Sequence, residues 1–221
     1  MDIQEVADRS RLYIDRLVMT KASPDDLAAV AALLDQATAI LDAAVPDEPR
    51  NMYEGFAATG DYLDLFRLNP VIGKLNPVAP RFEIERREGV GDGYQGKEIE
   101  ARTELGILYE GPIGMVHGGI IASLFDQFLA IANIHCGLGA FTGSLTITYR
   151  QPCPLGVPLR FVCRTDRVEG RKVFTSGELF AGDTLVAEGS GIFILPSEAR
   201  LAELIGEREA MSATFEASAF D

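Results

Sequence analysis

The sequence has no tryptophan, only two histidines and only three cysteines in 221 residues. Basic residues are also scarce: 20 Lys and Arg against 33 Asp and Glu give a net charge of −13. This balance argues against general nucleic-acid binding and against a polybasic membrane anchor. The cysteines lack a Cys-x-x-Cys spacing, which disfavours a disulfide scaffold or a four-cysteine zinc site and favours a reducing, cytoplasmic setting. The N-terminus lacks the basic start and apolar run of a signal peptide.

Several common catalytic patterns are missing as well. No Gly-x-Ser-x-Gly elbow occurs, and two histidines offer little material for a Ser-His-Asp arrangement. His117, His135 and Cys136 have no metal-ligand spacing, so we expect no metal site. A Gly-x-Gly-x-x-Gly string does occur at residues 91–96. A strand pattern follows it where a dinucleotide site needs a helix, so it predicts a hairpin turn.

Apolar residues make up 47 % of the chain, enough to bury a sizeable core. The N-terminal part reads as helical over residues 4–19 and again from Ser23-Pro24 to Pro46, because serine caps helices and proline suits their first position. Pro and Gly punctuate residues 46–80, which indicates a connector. We therefore expect a helical extension over residues 1–60, which packs on a core or a partner chain, and a main domain over residues 61–221.

The main domain alternates between strand patterns and one apolar helix. The helix is predicted over Ile120–Cys136, and its Asp126 and Asn133 disfavour a membrane span. The predicted strands are Phe82–Arg87 and Glu98–Leu105 before the helix, and Thr142–Arg150, Pro158–Val168, Lys172–Ala181 and Thr184–Leu195 after it. The last four should follow one another as hairpins, before a short amphipathic tail over Glu198–Ile205. This order predicts an α+β fold, a long central helix wrapped by a six-stranded antiparallel sheet.

The position of Asp126 in the sequence is the one that most needs an explanation. It lies within the most apolar segment of the chain, where an ionised carboxylate is costly unless it is paired, hydrogen-bonded or functional. Burial alone leaves two interpretations open, a carboxylate bonded to a backbone end or an arginine, and a carboxylate that does chemistry.

His117-Gly118-Gly119 stands at the predicted start of the same helix. Two glycines there either serve tight packing or let a ligand approach free N–H groups that suit a negatively charged oxygen. His117 and Asp126 are nine residues apart, about 900° of helical rotation, which predicts opposite faces. If both act on one substrate, a second copy is the simplest supplier of one of them, so the spacing predicts a two-fold dimer with an interfacial site.

These residues resemble a known family. The segment Gly111-Pro112-Ile113-Gly114-Met115-Val116-His117-Gly118-Gly119, with Asp126 nine residues after the histidine, is similar to the hotdog-fold acyl-CoA thioesterases. So is Thr142-Gly143-Ser144-Leu145-Thr146-Ile147-Thr148-Tyr149-Arg150-Gln151-Pro152. The sequence resembles the branch of phenylacetyl-CoA thioesterases and the mammalian thioesterase superfamily, over roughly residues 76–196.

The resemblance implies a hydrolase for aliphatic or aromatic acyl-CoA, working as a homodimer or a dimer of dimers. The amide of Gly118 or Gly119 would polarise the thioester carbonyl beside His117, and Asp126 of the partner chain would be general base or nucleophile. Thr142 falls where the family positions a water-binding hydroxyl, with Ser144 as second choice. Arg150, Arg171 and Lys172 fall where coenzyme A phosphates tend to bind, within a segment (127–177) that has six basic and two acidic residues. No cofactor is implied, because coenzyme A belongs to the substrate.

One position departs from the family. Part of the family has an asparagine six residues before the histidine, contacting the thioester, where this chain has Gly111. A second hypothesis is therefore a non-catalytic protein that binds or senses acyl-CoA on the same fold. A third is an interaction domain whose helical extension recruits a partner. No nucleic-acid or membrane partner is expected.

Overall fold

A computed structural model describes residues 2–45, 61–89, 91–197, 199–200 and 203. The helices are α1 (Ile3–Met19), α2 (Pro24–Asp42) and α3 (Gly118–His135). The strands are β1 (Glu83–Glu88), β2 (Lys97–Glu104), β3 (Phe141–Tyr149), β4 (Pro158–Glu169), β5 (Lys172–Ala181) and β6 (Thr184–Ile194). The expected domain boundary at residue 60 and most of the expected tail helix lie outside the described residues.

The helices begin where their capping residues predict. The Asp2 carboxylate accepts a hydrogen bond from the Glu5 N–H at 2.9 Å at the start of α1. Ser23 caps α2 through the Asp26 N–H, with Pro24 at the first helical position. A side-chain acceptor of this kind satisfies one of the N–H groups that a helix start leaves over.

The six strands form one antiparallel sheet in the order β1-β2-β4-β5-β6-β3. The α+β prediction is confirmed, but the expected hairpin between β3 and β4 is wrong, because β3 pairs with β6 at the far edge. The link between β3 and β4 crosses the end of the sheet instead. It is held to the loop before α3 by a hydrogen bond from the Val116 N–H to the Cys153 carbonyl and another from the Leu155 N–H to the Gly114 carbonyl.

The core lies between α3 and one face of this sheet. Phe125 and Phe128 of α3 both pack their rings against Phe161 of β4, at centroid distances of 5.2 and 4.9 Å. The sheet comes so close to α3 that a Cβ on Gly189 would lie 2.5 Å from the Phe125 ring. Although α3 is long and apolar, none of the described helices meets the length and hydropathy needed to cross a membrane.

The segment 61–80 covers the other side of α3. The Asn69 amide donates a hydrogen bond to the Gln127 side-chain oxygen at 2.8 Å, and apolar side chains of the segment, Phe66 and Ile72 among them, pack against the core. The described part of the expected connector, residues 61–80, is therefore a structured cover over the central helix.

Candidate active site

The start of α3 is organised by His117, which is its N-cap. The His117 N–H donates to the Tyr109 carbonyl at 2.8 Å, and the ring Nδ1 accepts from the Gly119 N–H at 2.9 Å. Nδ1 is thus an acceptor, which puts the proton of the neutral ring on Nε2. The Gly119 amide, one of the two expected to contact substrate, is engaged by His117. The Gly118 N–H donates no hydrogen bond to any described residue.

Tyr149, at the end of β3, fixes the position of this helix start. Its hydroxyl donates to the Gly118 carbonyl at 2.7 Å. A Cβ on Gly118 would lie 3.3 Å from the same hydroxyl oxygen. In the sequence, Tyr149 stands out only as part of the strand segment that resembles the family. No pattern in the chain indicates its contact with the helix.

Asp126 is held by a hydroxyl from the other end of β3. The Thr142 hydroxyl donates to Asp126 Oδ1 at 2.7 Å. Asp126 is partly buried and Thr142 is exposed, so the carboxylate lies at the surface of the single chain, between helix and sheet. The hydrogen-bond partner of Asp126 among the described residues is therefore a threonine hydroxyl, and neither a backbone end nor an arginine.

Ser144 lies on the opposite face of the sheet from Thr142. The register of β3 against β6 shifts between these two residues, with Thr142 opposite Phe193 and Ser144 opposite Ile192. Such a bulge breaks the two-residue alternation of a strand. The structure therefore brings Thr142, and not Ser144, to Asp126 of the same chain.

The helix start and Asp126 are far apart within one chain. Gly118 and Asp126 are separated by eight residues of α3, a rise of about 12 Å. Helical rotation does not set the position of His117, because this residue caps α3 from outside the helix, whereas Gly119 and Asp126 lie seven residues apart on one face of it. Axial distance, rather than rotation, prevents both groups of one chain from reaching one carbonyl.

The loop before α3 leaves no space for a side chain at Gly111. A Cβ there would lie 2.7 Å from the His117 Cα, closer than such atoms approach one another. The loop is also tied by the Gly114 N–H, which donates to the Glu110 carboxylate at 2.7 Å. An asparagine at position 111 would require the loop or His117 to move.

The three basic residues expected at coenzyme A are divided between two ends of the sheet. Arg150 follows the last residue of β3 and forms an ion pair with Glu188. Arg171 and Lys172 lie at the turn between β4 and β5, beside the first residue of β3, since Lys172 is in register with Ile194, which is in register with Phe141. A nine-residue strand separates the two ends by about 26 Å, so one chain does not bring them together.

The three cysteine thiols are buried and unpaired. Burial raises the pKa of Cys153 to about 11, and it also raises the pKa values of Cys136 and Cys163. A thiol with a raised pKa is a poor nucleophile at neutral pH. Asp126 therefore remains the candidate reactive group on α3.

Comparisons with known proteins show which family the chain resembles. The profile described as Thioesterase superfamily matches residues 113–188, which include His117, Asp126 and Thr142. Acyl-coenzyme A thioesterase THEM4 of Xenopus laevis is 29 % identical over 160 residues, covering 65 % of this chain and 72 % of that protein. THEM4 of Mus musculus is 34 % identical over 124 residues, 52 % of this chain and 54 % of that protein, so the match spans about half of the mouse relative.

A solved structure extends the likeness to most of the chain. The crystal structure of a thioesterase superfamily protein has a TM-score of 0.75 and 28 % identity, and the match covers 88 % of this chain and 91 % of that one. Its coverage exceeds that of the family profile, which begins only at residue 113. These matches confirm the resemblance seen in the sequence: residues 113–188 form a domain of the thioesterase superfamily, and the chain has the hotdog fold.

Proposed function

We propose that this protein hydrolyses acyl-CoA thioesters to the free acid and coenzyme A, at a site formed by two copies of the chain. The observation that carries the proposal is Asp126, the only Asp, Glu, Lys or Arg in α3, held by the Thr142 hydroxyl at 2.7 Å. A carboxylate in an otherwise apolar helix, with one oxygen fixed and the other open, is suited to act on a bound water.

The exposed edge of the sheet supports a second copy. None of the nine residues of β3 is charged, and most are exposed, whereas five of the six residues of β1 at the opposite edge are charged. Charged edge strands resist pairing with another chain, and uncharged ones favour it. We infer that β3 pairs with β3 of a second copy.

A two-fold axis at this edge makes the two β3 strands antiparallel. The Thr142 end of one strand then lies against the Tyr149 end of the other. Because Thr142 holds Asp126 and Tyr149 holds Gly118, the carboxylate of one copy is brought toward the free helix-start amide of the other. The same pairing brings Arg150 of one copy toward the end of the sheet that carries Arg171 and Lys172 of the other, where they can share the coenzyme A phosphates.

The chemistry follows from this arrangement. The Gly118 N–H donates to the thioester carbonyl oxygen and stabilises the negative charge that develops on it. Asp126 of the second copy removes a proton from water as the water oxygen attacks the carbonyl carbon. The carbon–sulfur bond then breaks, and the proton passes to the departing coenzyme A thiolate. His117 keeps the glycine amides in place, and the reaction needs no cofactor beyond its substrate.

Three free thiols are consistent with a reducing compartment, so we place the protein in the cytoplasm. We propose the homodimer as the smallest active unit. Pairing of dimers into a tetramer would use a surface other than the β3 edge, since that edge is filled in the dimer.

The test is thiol release from acetyl-, octanoyl- and phenylacetyl-CoA by the wild type, by Asp126→Asn and by Asp92→Asn. Asp92 is an exposed carboxylate in the turn between β1 and β2 and serves as the matched control. We expect Asp126→Asn to lose about a thousandfold in kcat, the usual contribution of a general base, and Asp92→Asn to match the wild type. Full activity of a folded Asp126→Asn variant would contradict the mechanism.

Gly111 favours one alternative function, that of an acyl-CoA binding or sensing protein. The close contact between Gly111 and His117 leaves no side chain at that position to orient a thioester. Tight binding of acyl-CoA in a calorimetric titration, with no thiol release by the wild type, would support this alternative.

A further inference from the structure

A cavity of about 450 Å³ lies between the segment 70–80 and the first two turns of α3. No charged side chain lines it, and its walls include Val71, Val78, Ile120 and Leu124. Its two side-chain hydroxyls already donate elsewhere, Tyr109 to the Val78 carbonyl at 3.0 Å and Ser123 to the Gly119 carbonyl at 2.9 Å. The cavity therefore offers an apolar surface to a ligand, with no group that would stabilise a charge.

This cavity lies beside the helix start where the thioester carbonyl is proposed to bind. Ile120 follows Gly119 directly, and Ser123 lies one turn further along α3. Tyr109, another wall residue, accepts the His117 N–H through its carbonyl at 2.8 Å. An acyl group whose carbonyl contacts Gly118 has the cavity as its nearest apolar surface.

The loop that carries the wall residues Val78 and Pro80 is held by α1. The Arg11 guanidinium donates to the carbonyls of Gly73, Lys74 and Asn76 at 2.9, 2.9 and 2.6 Å, and to that of Ala79 at 3.1 Å. It also pairs with Asp8 at 2.8 Å, and its side chain is only 12 % exposed. The carbonyls of Gly73, Lys74 and Asn76 share the two hydrogens of Nη2, while Nε and Nη1 donate to Ala79 and Asp8. An ammonium with three donors cannot reach this many acceptors. The wall segment and α1 both precede the stretch that the family profile matches.

We propose that Arg11 is a positioning residue, which fixes the 73–79 loop and thereby shapes a cavity for an uncharged, apolar acyl chain. The inference rests on the proposed thioester hydrolysis and adds two statements to it. The substrate carries an extended apolar acyl group rather than a short or carboxylated one. The N-terminal helix sets that preference without contacting the reacting atoms.

The test compares kcat and KM for octanoyl-, acetyl- and succinyl-CoA among the wild type, Arg11→Gln, Arg11→Lys and Arg9→Gln. Arg9 is the matched control, since it lies on the same helix, is 67 % exposed and, among the described residues, pairs with Glu5 alone. We expect the wild type to prefer octanoyl-CoA. Arg11→Gln should lower the octanoyl-to-acetyl ratio of kcat/KM by about tenfold, through KM, because apolar contacts decide such selectivity. The octanoyl-to-acetyl ratio of Arg11→Lys should lie between those of the wild type and Arg11→Gln, and Arg9→Gln should keep the wild-type ratio.

Val78→Phe gives a second test that does not depend on how Arg11 variants fold. A ring in place of the Val78 side chain fills the cavity, so the octanoyl-to-acetyl ratio should fall here too. An unchanged ratio in Val78→Phe, or in a folded Arg11→Gln, overturns the inference, as does an equal loss for both substrates. In those cases turnover persists and the proposed function stands. Absence of thiol release by the wild type overturns the proposed function and the inference together.

Discussion

A helix start leaves several backbone N–H groups without partners in its own first turn. In α3 the His117 side chain accepts a hydrogen bond from one of these groups and not from its neighbour. His117 Nδ1 takes the Gly119 N–H, and the Gly118 N–H is left without an acceptor among the described residues. The cap thus serves two purposes, since it stabilises the helix and leaves one aligned donor for a ligand oxygen.

Gly118→Pro tests this donor, because proline has no backbone N–H to donate. Proline suits the first helical position, and His117 already has the extended conformation required before proline, with φ −62 and ψ 130. We expect a loss of about a hundredfold or more in kcat, as for the removal of an oxyanion donor. Gly118→Ala is the control, because it adds a Cβ at the same position but retains the N–H. Equal rates in the two folded variants would show that the amide is not used.

For individual residues, the sequence predicts the reactive groups better than the residues that hold them in position. Gly118 and Asp126 stand out because a glycine or a carboxylate at those places conflicts with the apolar pattern around them. His117 stands out because it directly precedes the glycine pair. Tyr149 and Arg11 act through hydrogen bonds to carbonyls that are 31 residues and 62 or more residues away in the chain, and no local pattern records such contacts.

Among the secondary-structure elements, β3 has two roles. Its first residues hold Asp126 and its last holds Gly118, so one strand positions both parts of the proposed site. It is also the uncharged edge through which a second copy would pair. Substitutions in its middle, on the face away from α3, should therefore affect assembly more than folding.

The double substitution Thr146→Lys and Thr148→Lys tests the pairing of this edge. In an antiparallel β3 pair, the added charges of the two copies lie near one another, and opposed like charges destabilise a strand pair. We expect the dimer dissociation constant to rise by about tenfold, equivalent to about 1.4 kcal/mol, measured by sedimentation equilibrium. Ser190→Lys is the control, because Ser190 is in register with Thr146 on the neighbouring interior strand. An unchanged dissociation constant would place the interface elsewhere.

The helices and most strand bounds could be predicted from the sequence, because caps, turns and apolar periodicity are local signals. The strand order could not, because the β2–β4 and β3–β6 pairs join segments that are distant in the chain. The placement of Arg150 and Arg171 at opposite ends of the sheet could not be predicted either, because it follows from that strand order. The displacement of Ser144 from the Asp126 side depends on a bulge at Gly143 that the strand pattern does not reveal.

For the molecule as a whole, the contact between Tyr109 and the 73–79 loop links stability to pH. Burial raises the pKa of Tyr109 to about 12, with a further increase from Asp15 and an opposing effect of Arg11. The ordinary value is 10.0, so between these values the unfolded chain loses a proton that the folded one keeps. The contribution of Tyr109 to stability is therefore full below about pH 10 and is lost as the pH rises toward about 12.

Tyr109→Phe should reveal this dependence in urea unfolding. At pH 8 the variant should be less stable by about 1 kcal/mol, because it loses the hydrogen bond to the Val78 carbonyl. The difference from the wild type should narrow between about pH 10 and about pH 12, as Tyr109 ionises in the unfolded wild type. Other titrating groups are common to both proteins and cancel in the difference. A gap that stays constant over this range would contradict the raised pKa.

The central claim is that each reaction site takes its amide from one chain and its carboxylate from the other. The most direct test co-expresses two differently tagged chains, one with Asp126→Asn and one with Gly118→Pro, and isolates the mixed dimer by both tags. With shared sites, one of its two sites carries both substitutions and the other carries neither, so we predict about half the wild-type activity from two inactive parents. A mixed dimer as inactive as its parents would place both groups in one chain and contradict the account.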